Sequence, residues 1–217
     1  MKRLTLSFDN GPFPEVTDHV LGVLSEREIK TTFFVCGKDV STQHQRALVK
    51  KAKQAGHRIG NHTFSHAVEL GATDDPDAPR SEIALAQEAL GGLAEEDRLF
   101  RPSGGGGVIG PRLLSRRAVE HLCDGKYTCV LWNSVPRDWE NPEGWPDRAM
   151  EDVERLDWTL LVLHDVPTGA MKKLEHFLDM TAGAGVEIVQ SFPADCVPIS
   201  RGEIVGPIDH IVAPTSS

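Results

Sequence analysis

The sequence lacks the long apolar run that a membrane helix needs, since no stretch approaches about 18 consecutive apolar residues. It also lacks an excess of positive charge, because 32 acidic residues against 23 basic ones give a formal net charge of -9. An acidic chain of this kind does not attract nucleic acid or an anionic membrane surface by its charge. We therefore expect neither a nucleic-acid partner nor a membrane partner.

Paired cysteines and a secretion signal are both missing from the sequence. The four cysteines form no C-x-x-C pair and lie in or beside apolar segments, which predicts reduced, buried thiols. They are Cys36, Cys123, Cys129 and Cys196. The apolar stretch after the first three residues is too short for a signal-peptide core and carries no small-residue cleavage site. These features predict a cytoplasmic protein.

Strand and helix patterns alternate along the chain. Seven strand candidates, most of them separated by helices, occupy roughly 190 residues. This order favours a parallel sheet, because parallel neighbours need long crossover connections. No linker-like composition shift and no internal repeat divides the chain, so we expect one domain over residues 1–217, with a core at about 3–190 and a proline-rich C-terminal tail.

The individual elements follow from periodicity and from Pro, Gly and Ser at their ends. The predicted strands are 3–8, 31–36, 57–61, 99–100, 127–132, 159–163 and 186–189. One helix is predicted to begin at Pro14, and the others cover 42–55, 81–90, 111–121 and 170–182. Ser81 is expected to cap the third of these helices.

Polar side chains follow several predicted strands, close to the point where each strand ends. They are Asp9, His62, Arg101, Asp138 and His164. The carboxyl ends of parallel strands meet at one edge of a sheet or one mouth of a barrel, and functional sites of such folds lie there. The sequence therefore predicts that these side chains converge.

Each of these residue types has a chemical use at such an edge. His62 and His66 are four residues apart, so they share one face of a helical turn, where two neutral imidazoles can hold one divalent ion. Asp9 is placed as a general base, and His164 after an apolar strand as a general acid. Arg101 can pair with a nearby carboxylate and keep it ionised.

Five short segments, taken in order, resemble the motifs of one known family. Residues 7–10 (SFDN) stand where that family has T-F-D-D, and residues 62–66 (HTFSH) match H-[ST]-x-x-H. Residues 101–105 (RPSGG) are similar to R-x-P-[FY]-G, and 138–139 (DW) to the end of D-x-x-D-W. Residues 162–164 (VLH) are similar to L-x-H. The family is that of the polysaccharide deacetylases, the NodB-homology domain, and the fold expected is α/β, a distorted parallel (β/α)7-type barrel in a single domain.

The resemblance implies hydrolysis of a carbon–nitrogen bond other than a peptide bond, by metal-assisted removal of an N-acetyl group. The implied substrate is an N-acetylated sugar, as an oligosaccharide or a small molecule. The implied cofactor is a divalent metal, with zinc expected, held by His62 and His66. Asn10 occupies the position of a third metal ligand, which is Asp in the family, and its neutral amide oxygen is a weaker ligand than a carboxylate.

The resemblance also implies how the reaction is divided among the side chains. Asp9 would be the base that takes a proton from the attacking water, and Arg101 would pair with Asp9. His164 would protonate the leaving amine, with Asp138 orienting it. The implied substrate contacts are Trp139, Leu163 and the backbone N–H at Gly104.

Two departures from the family pattern leave alternatives open. Asn10 removes a negative charge from the metal site, and the run Gly104–Gly107 replaces an aromatic wall with an open, mobile one. The chain could therefore be a metal-dependent deacetylase of an N-acetylated sugar or small amide. It could also be a metal-independent or weakly metal-bound hydrolase of a non-sugar cyclic amide or imide. A third alternative is a non-catalytic binding protein on the same fold, although a pure binder does not need a matched acid and base.

Overall fold

Strand β1 (Arg3–Asp9) is buried on both faces in the computed structural model, which describes residues 1–214. Its Leu4 and Phe8 pack into the main hydrophobic core. The alternate positions Ser7 and Asp9 are also buried, but they point to the opposite face because successive side chains of a strand alternate. The polar alternation inside an otherwise apolar strand thus aims a carboxylate into the interior.

Within residues 1–214 the sheet has nine strands, in the order β6-β1-β2-β3-β4-β5-β8-β9, with β7 paired to β1. The strands after β1 are β2 (Thr32–Val35), β3 (Arg58–Asn61), β4 (Leu99–Phe100), β5 (Thr128–Cys129), β6 (Trp158–His164), β7 (Glu187–Ile188), β8 (Ile199–Ser200) and β9 (Glu203–Ile204). β1 to β7 pair in parallel, while β8 and β9 are antiparallel. A parallel bridge between Ser134 and Leu161 joins the chain after β5 to β6, so the sheet curls into the predicted distorted barrel. All seven predicted strands are present.

Six α-helices accompany the sheet within residues 1–214. They are α1 (Pro14–Glu26), α2 (Gln43–Gln54), α3 (Leu85–Leu90), α4 (Arg116–Asp124), α5 (Trp145–Arg155) and α6 (Leu174–Gly183). None of the helices in the described part of the chain has the length and apolar character needed to span a bilayer.

Two helix predictions need correction, and one helix was missed. The helix expected from Ser81 starts earlier, as a π-helix at Pro79–Ala84, so Ser81 lies inside it and does not cap it. The helix expected from 111 begins at 116, where the Ser115 side chain accepts a hydrogen bond from the Ala118 amide. Helix α5 was not predicted at all, although a proline in its first turn is a typical start signal.

The C-terminal segment is part of the sheet, so the expectation of a core that ends near residue 190 followed by a tail was wrong. Strand β8 pairs with β5 through Cys129 and Ile199, and β9 pairs with β8. Ile199 and Ile211 are both fully buried in a second hydrophobic core, separate from the main core around Leu4 and Phe8. The last three residues of the expected domain, 215–217, lie outside the described residues.

Candidate active site

The residues predicted to carry chemistry converge at the carboxyl ends of the parallel strands, around an open cavity of about 740 Å³. Seven of them line it: Asp9, Asn10, His62, His66, Gly104, Trp139 and His164. Asp9 and His164 are register partners on the adjacent strands β1 and β6. Arg101 and Asp138 are fully buried and hold Asp9 and His164 from behind.

Asp9 is held by a buried ion pair. Its Oδ1 lies 2.8 Å from Arg101 Nη1, and the same nitrogen donates to Ser7 Oγ at 2.7 Å. The other two guanidinium nitrogens, Nε and Nη2, donate to the carbonyls of Val130 and Leu131 respectively. A guanidinium with its donors directed in this way has little freedom to turn, so the carboxylate of Asp9 is fixed in place.

His62 presents a lone pair to Asp9. Its Nδ1 lies 2.9 Å from the Arg101 carbonyl oxygen, which can only accept, so Nδ1 carries the proton. Burial lowers the pKa of His62 to about 4 against the opposing effect of the Asp9 charge, so the ring is neutral at neutral pH. Nε2 therefore faces Asp9 Oδ2 at 3.5 Å with both atoms acting as acceptors. Two acceptor atoms that face each other repel, so a cation or a shared proton next to them is favoured.

His66 reaches the cavity from a turn, and the helical turn predicted for the two histidines is absent. Thr63 and His66 have φ of 64° and 57°, which is left-handed backbone outside any helix. The His62 and His66 rings still come within 4.9 Å between their centroids. Partial burial lowers the pKa of His66 as well, so both imidazoles are available as neutral ligands.

Asn10 lines the cavity beside these histidines, also in left-handed backbone with φ of 74°. Its amide oxygen is 4.0 Å from the Cys36 thiol, a weak contact that leaves the oxygen free to turn. Within residues 1–214 no group of three or more His, Cys, Asp or Glu side chains is arranged to hold a metal. Two neutral imidazoles with one amide oxygen nevertheless fit a loosely held divalent cation that completes its shell with water.

His164 forms a second polar pair with Asp138. Its Nδ1 lies 2.8 Å from Asp138 Oδ1, and its backbone N–H donates to Oδ2 at 3.0 Å. Burial lowers the pKa of His164, but the hydrogen bond and charge of Asp138, with the charges of Asp9 and Asp165, raise it above the ordinary value overall. The Trp139 ring stands edge-on to the imidazole at 4.7 Å. The pair presents a protonatable Nε2 to the cavity.

Leu163 does not line the cavity, so the contact with substrate expected of it was wrong. It is fully buried in the main hydrophobic core on the helix side of β6. Val162, one residue earlier, lines the cavity together with His164. The reason is the two-residue period of a strand, which puts 162 and 164 on one face and 163 on the other.

The wall formed by Gly104–Gly107 is more constrained than its composition suggests. The φ values of its last three glycines are 48°, 60° and 84°, a left-handed run that disfavours residues with a Cβ. Glu69 Oε1 accepts a hydrogen bond from the Gly105 amide at 2.7 Å, and Trp132 Nε1 donates to the Gly107 carbonyl at 2.8 Å. The loop is therefore held by hydrogen bonds at Gly105 and at Gly107.

Four residues that support the site were not singled out from the sequence: Ser7, Glu69, Glu82 and Asp165. Ser7 lies two residues before Asp9 on the same strand face, a signal that the period of two could have given. Asp165 is fully buried against Gly11, where a Cβ would lie 2.1 Å from its Oδ2, and it accepts a hydrogen bond from Thr17. Nothing local in the sequence marks Glu69 or Glu82, because both act on loops that are distant along the chain.

Comparison with known proteins shows the family to which the chain is related. A sequence model of the polysaccharide deacetylase family matches residues 1–116. A peptidoglycan-N-acetylglucosamine deacetylase of Bacillus cereus is 30% identical over 168 residues, covering 76% of this chain and 73% of that protein. A chitooligosaccharide deacetylase of Rhizobium leguminosarum bv. phaseoli is 28% identical over 168 residues, covering 75% of this chain and 67% of that protein.

A similar solved structure comes from the same group of enzymes. It is a family 4 acetyl xylan esterase from Clostridium thermocellum in complex with a cobalt ion, 26% identical, with a TM-score of 0.72 over 87% of this chain and 88% of that chain. The chain belongs to the polysaccharide deacetylase family. It is accordingly a deacetylase-type hydrolase that acts on carbon–nitrogen bonds other than peptide bonds.

Proposed function

We propose that the protein removes the acetyl group from an N-acetylated sugar, with a divalent cation held by His62 and His66. The observation that carries this proposal is the pairing of two buried couples, Asp9 with Arg101 and Asp138 with His164, at one cavity. The deacetylases of sugar chains among its relatives support the choice of substrate. A cavity of about 740 Å³ leaves room for more than a single sugar ring.

Asp9 acts as the general base in this proposal. It takes a proton from the water that adds to the acetyl carbonyl carbon, and Arg101 holds the carboxylate in the orientation needed for that transfer. The oxygen that becomes negative is stabilised by the backbone N–H of Gly104, which donates to no other described residue.

His164 acts as the general acid. When the carbon–nitrogen bond breaks, its Nε2 gives a proton to the leaving amine, so the products are acetate and the free amino sugar. Asp138 fixes the Nδ1–H tautomer and stabilises the protonated ring before that transfer. Trp139 and Val162 bound the space for the acetyl methyl group.

The chemistry that a bound divalent cation would supply here is polarisation of the acetyl carbonyl and a lowered pKa of water at the site. His62 and His66 would hold it through neutral ring nitrogens, with the amide oxygen of Asn10 as a weak third ligand. The cobalt ion of the acetyl xylan esterase supports a cation in this family, and zinc is the ion we propose first.

The proposal is tested by acetate release from a chitooligosaccharide and from peptidoglycan glycan strands. Purified protein is measured as isolated, after treatment with a chelator, and after zinc or cobalt is added back. We expect acetate release that the chelator abolishes and the metal restores. If the chelator leaves acetate release unchanged, the proposal that a cation takes part is wrong. If neither sugar releases acetate, the proposed substrate class is wrong.

A second candidate is a hydrolase of a small cyclic amide or imide that works without a metal. The observation in its favour is that the third ligand position carries no charge, since position 10 is Asn and no three-residue metal cluster is found among residues 1–214. Ring opening of a cyclic imide in the presence of chelator, together with inertness toward the sugars, would favour this candidate over the first.

The rate should depend on pH through His164. Its pKa is raised, so the protonated acid persists above the ordinary range of histidine, and the rate falls as pH rises through that pKa. In Asp138→Asn the lowering effect of burial is no longer opposed by the Asp138 charge, so the alkaline limb of kcat should move to lower pH. Glu140→Gln, an exposed neighbour, is the control and should leave the limb in place. If the alkaline limb of kcat stays at the same pH in Asp138→Asn, His164 is not the general acid.

Replacing Asn10 with Asp should tighten binding of zinc and cobalt by roughly tenfold or more. The added negative charge attracts the cation, and about 1.4 kcal/mol of extra attraction corresponds to a tenfold gain in affinity. Aspartate tolerates the left-handed backbone at this position as asparagine does, so the fold should be unaffected. Calorimetric titration of metal measures the change, and Gln54→Glu adds the same charge at an exposed, distant site as the control. Equal affinity in Asn10→Asp and in the unaltered protein would show that position 10 does not contact the ion.

A further inference from the structure

The loop that carries His66 has strained backbone, so it needs contacts from other parts of the protein to keep its conformation. Thr63 has a φ of 64°, a conformation that is costly for a β-branched residue, and His66 follows with a φ of 57°. The loop has no regular secondary structure between β3 and the turn that follows it. Backbone in such strained regions persists only when its surroundings hold it.

The side chain of Glu82 provides several of the hydrogen bonds that stabilise this loop. Its carboxylate is buried, with 5% of the residue exposed. Oε2 accepts hydrogen bonds from the amides of Phe64 at 3.1 Å and Ser65 at 2.9 Å, and Oε1 accepts one from Ser65 Oγ at 2.6 Å. One buried carboxylate thus binds both of the last two residues before His66, and bonds to a charged acceptor are among the stronger hydrogen bonds of a protein.

Glu82 lies on a short helix that packs against the histidine loop. The segment Pro79–Ala84 is a π-helix, a rare form that is frequent at functional sites. Asn61 joins the two elements independently: its Nδ2 donates to the Ile83 carbonyl at 2.9 Å, and its Oδ1 accepts from the Thr63 amide at 2.9 Å. The π-helix and the histidine loop are therefore packed as one unit.

The two histidines differ in what fixes them. His62 is held by its own contacts, since its amide donates to the Val35 carbonyl at 3.0 Å and its ring is bonded to the Arg101 carbonyl. Among residues 1–214, the amide of His66 donates only to Thr63 Oγ1, within the same strained loop, at 3.2 Å. The distance between the two rings therefore depends on the loop. The Gly37 and Lys38 amides hold its first part by donating to the Thr63 and Phe64 carbonyls, and Glu82 holds it at the Phe64 and Ser65 amides, next to His66.

We propose that Glu82 is a positioning residue that sets the spacing of the His62 and His66 rings for a divalent cation. The inference rests on the proposed function in one respect, that the histidine pair holds a cation. Loss of the carboxylate would release the Phe64 and Ser65 amides and let His66 move away, while Asp9, Arg101 and His164 stay in place on their strands.

The experiment compares Glu82→Ala and Glu82→Gln with the unaltered protein. Glutamine keeps one oxygen for the two amides and a nitrogen that can donate to Ser65 Oγ, so it is the conservative variant. Glu88→Ala removes an exposed carboxylate from the following helix and is the matched control. Calorimetric titration with zinc and with cobalt, the cobalt absorption spectrum, and hydrogen exchange of the Phe64 and Ser65 amides are measured well below the unfolding temperature of every variant.

We expect Glu82→Ala to weaken zinc and cobalt binding by about 10- to 100-fold and to speed exchange of both amides. Glu82→Gln should keep most of the affinity, and Glu88→Ala should match the unaltered protein. Affinity, cobalt spectrum and exchange unchanged in Glu82→Ala would overturn the proposal, as would equal loss in the glutamine variant. If the unaltered protein itself binds neither metal, the proposed cation site fails, and the proposal is then decided by amide exchange and by NMR signals of the His66 ring against those of His62.

Discussion

Replacing Asp9 with Asn should lower the rate of acetyl release by about 10²- to 10⁴-fold, the usual contribution of a general base. Asparagine keeps an oxygen for Arg101 Nη1 but loses the lone-pair basicity and the charge that accept the proton from water. The change is measured as kcat and kcat/KM on the sugar substrate identified by acetate release.

Asp18→Asn provides the control for that experiment, because Asp18 pairs with Lys51 on the surface and takes no part in the cavity. It should leave both rate constants within experimental error. A rate in Asp9→Asn within threefold of the unaltered protein would contradict the assignment of Asp9 as base, whatever the state of the metal site.

Replacing Arg101 with Met should be the most damaging single change to stability, at about 3–5 kcal/mol of the free energy of unfolding. Arg101 is fully buried and Asp9 is 3% exposed, so the variant leaves a carboxylate in the interior without its partner. Ser7 and the carbonyls of Val130 and Leu131 also lose their donor. Chemical denaturation at neutral pH measures the loss.

The double variant Asp9→Asn/Arg101→Met separates the charge effect from lost packing. Because no unpaired buried charge remains, it should be more stable than Arg101→Met alone, and the two changes should be clearly non-additive. Additive losses would mean that the ion pair contributes little and that Arg101 acts mainly by filling space against the Phe34 ring, which lies 4.0 Å from its guanidinium carbon.

The sequence predicted the fold well where the pattern is local. Every parallel strand was found, because short β-branched and aromatic runs alternate with helical spacing along the chain. Helix α5 was missed although Trp145, Ala149 and Val153 recur every four residues and are buried together. Strands β8 and β9 could not be found in the same way, since two-residue strands are too short to show a period and are defined by their pairing.

The site was predictable as a set of residues but only partly as a geometry. The order of the motifs indicated that Asp9, His62 and His164 would meet, and strand topology explains why they do. The turn conformation of His66 was not foreseen, because spacing of four is typical of a helix whether or not one forms. Glu82 was out of reach, since its contacts with residues 64–65 cross a long loop and follow from tertiary packing alone.

The pairing of β8 with β5 also bears on how the protein is made. During synthesis the ribosome releases β5 long before β8, so the outer edge of β5 stays without a partner while the intervening helices and β6 emerge. That edge is only two residues long, and a very short edge gives other nascent chains little backbone to pair with. Completion of the sheet waits for residues 199–204, so the β5 edge of the barrel is closed only when nearly the whole chain has been made.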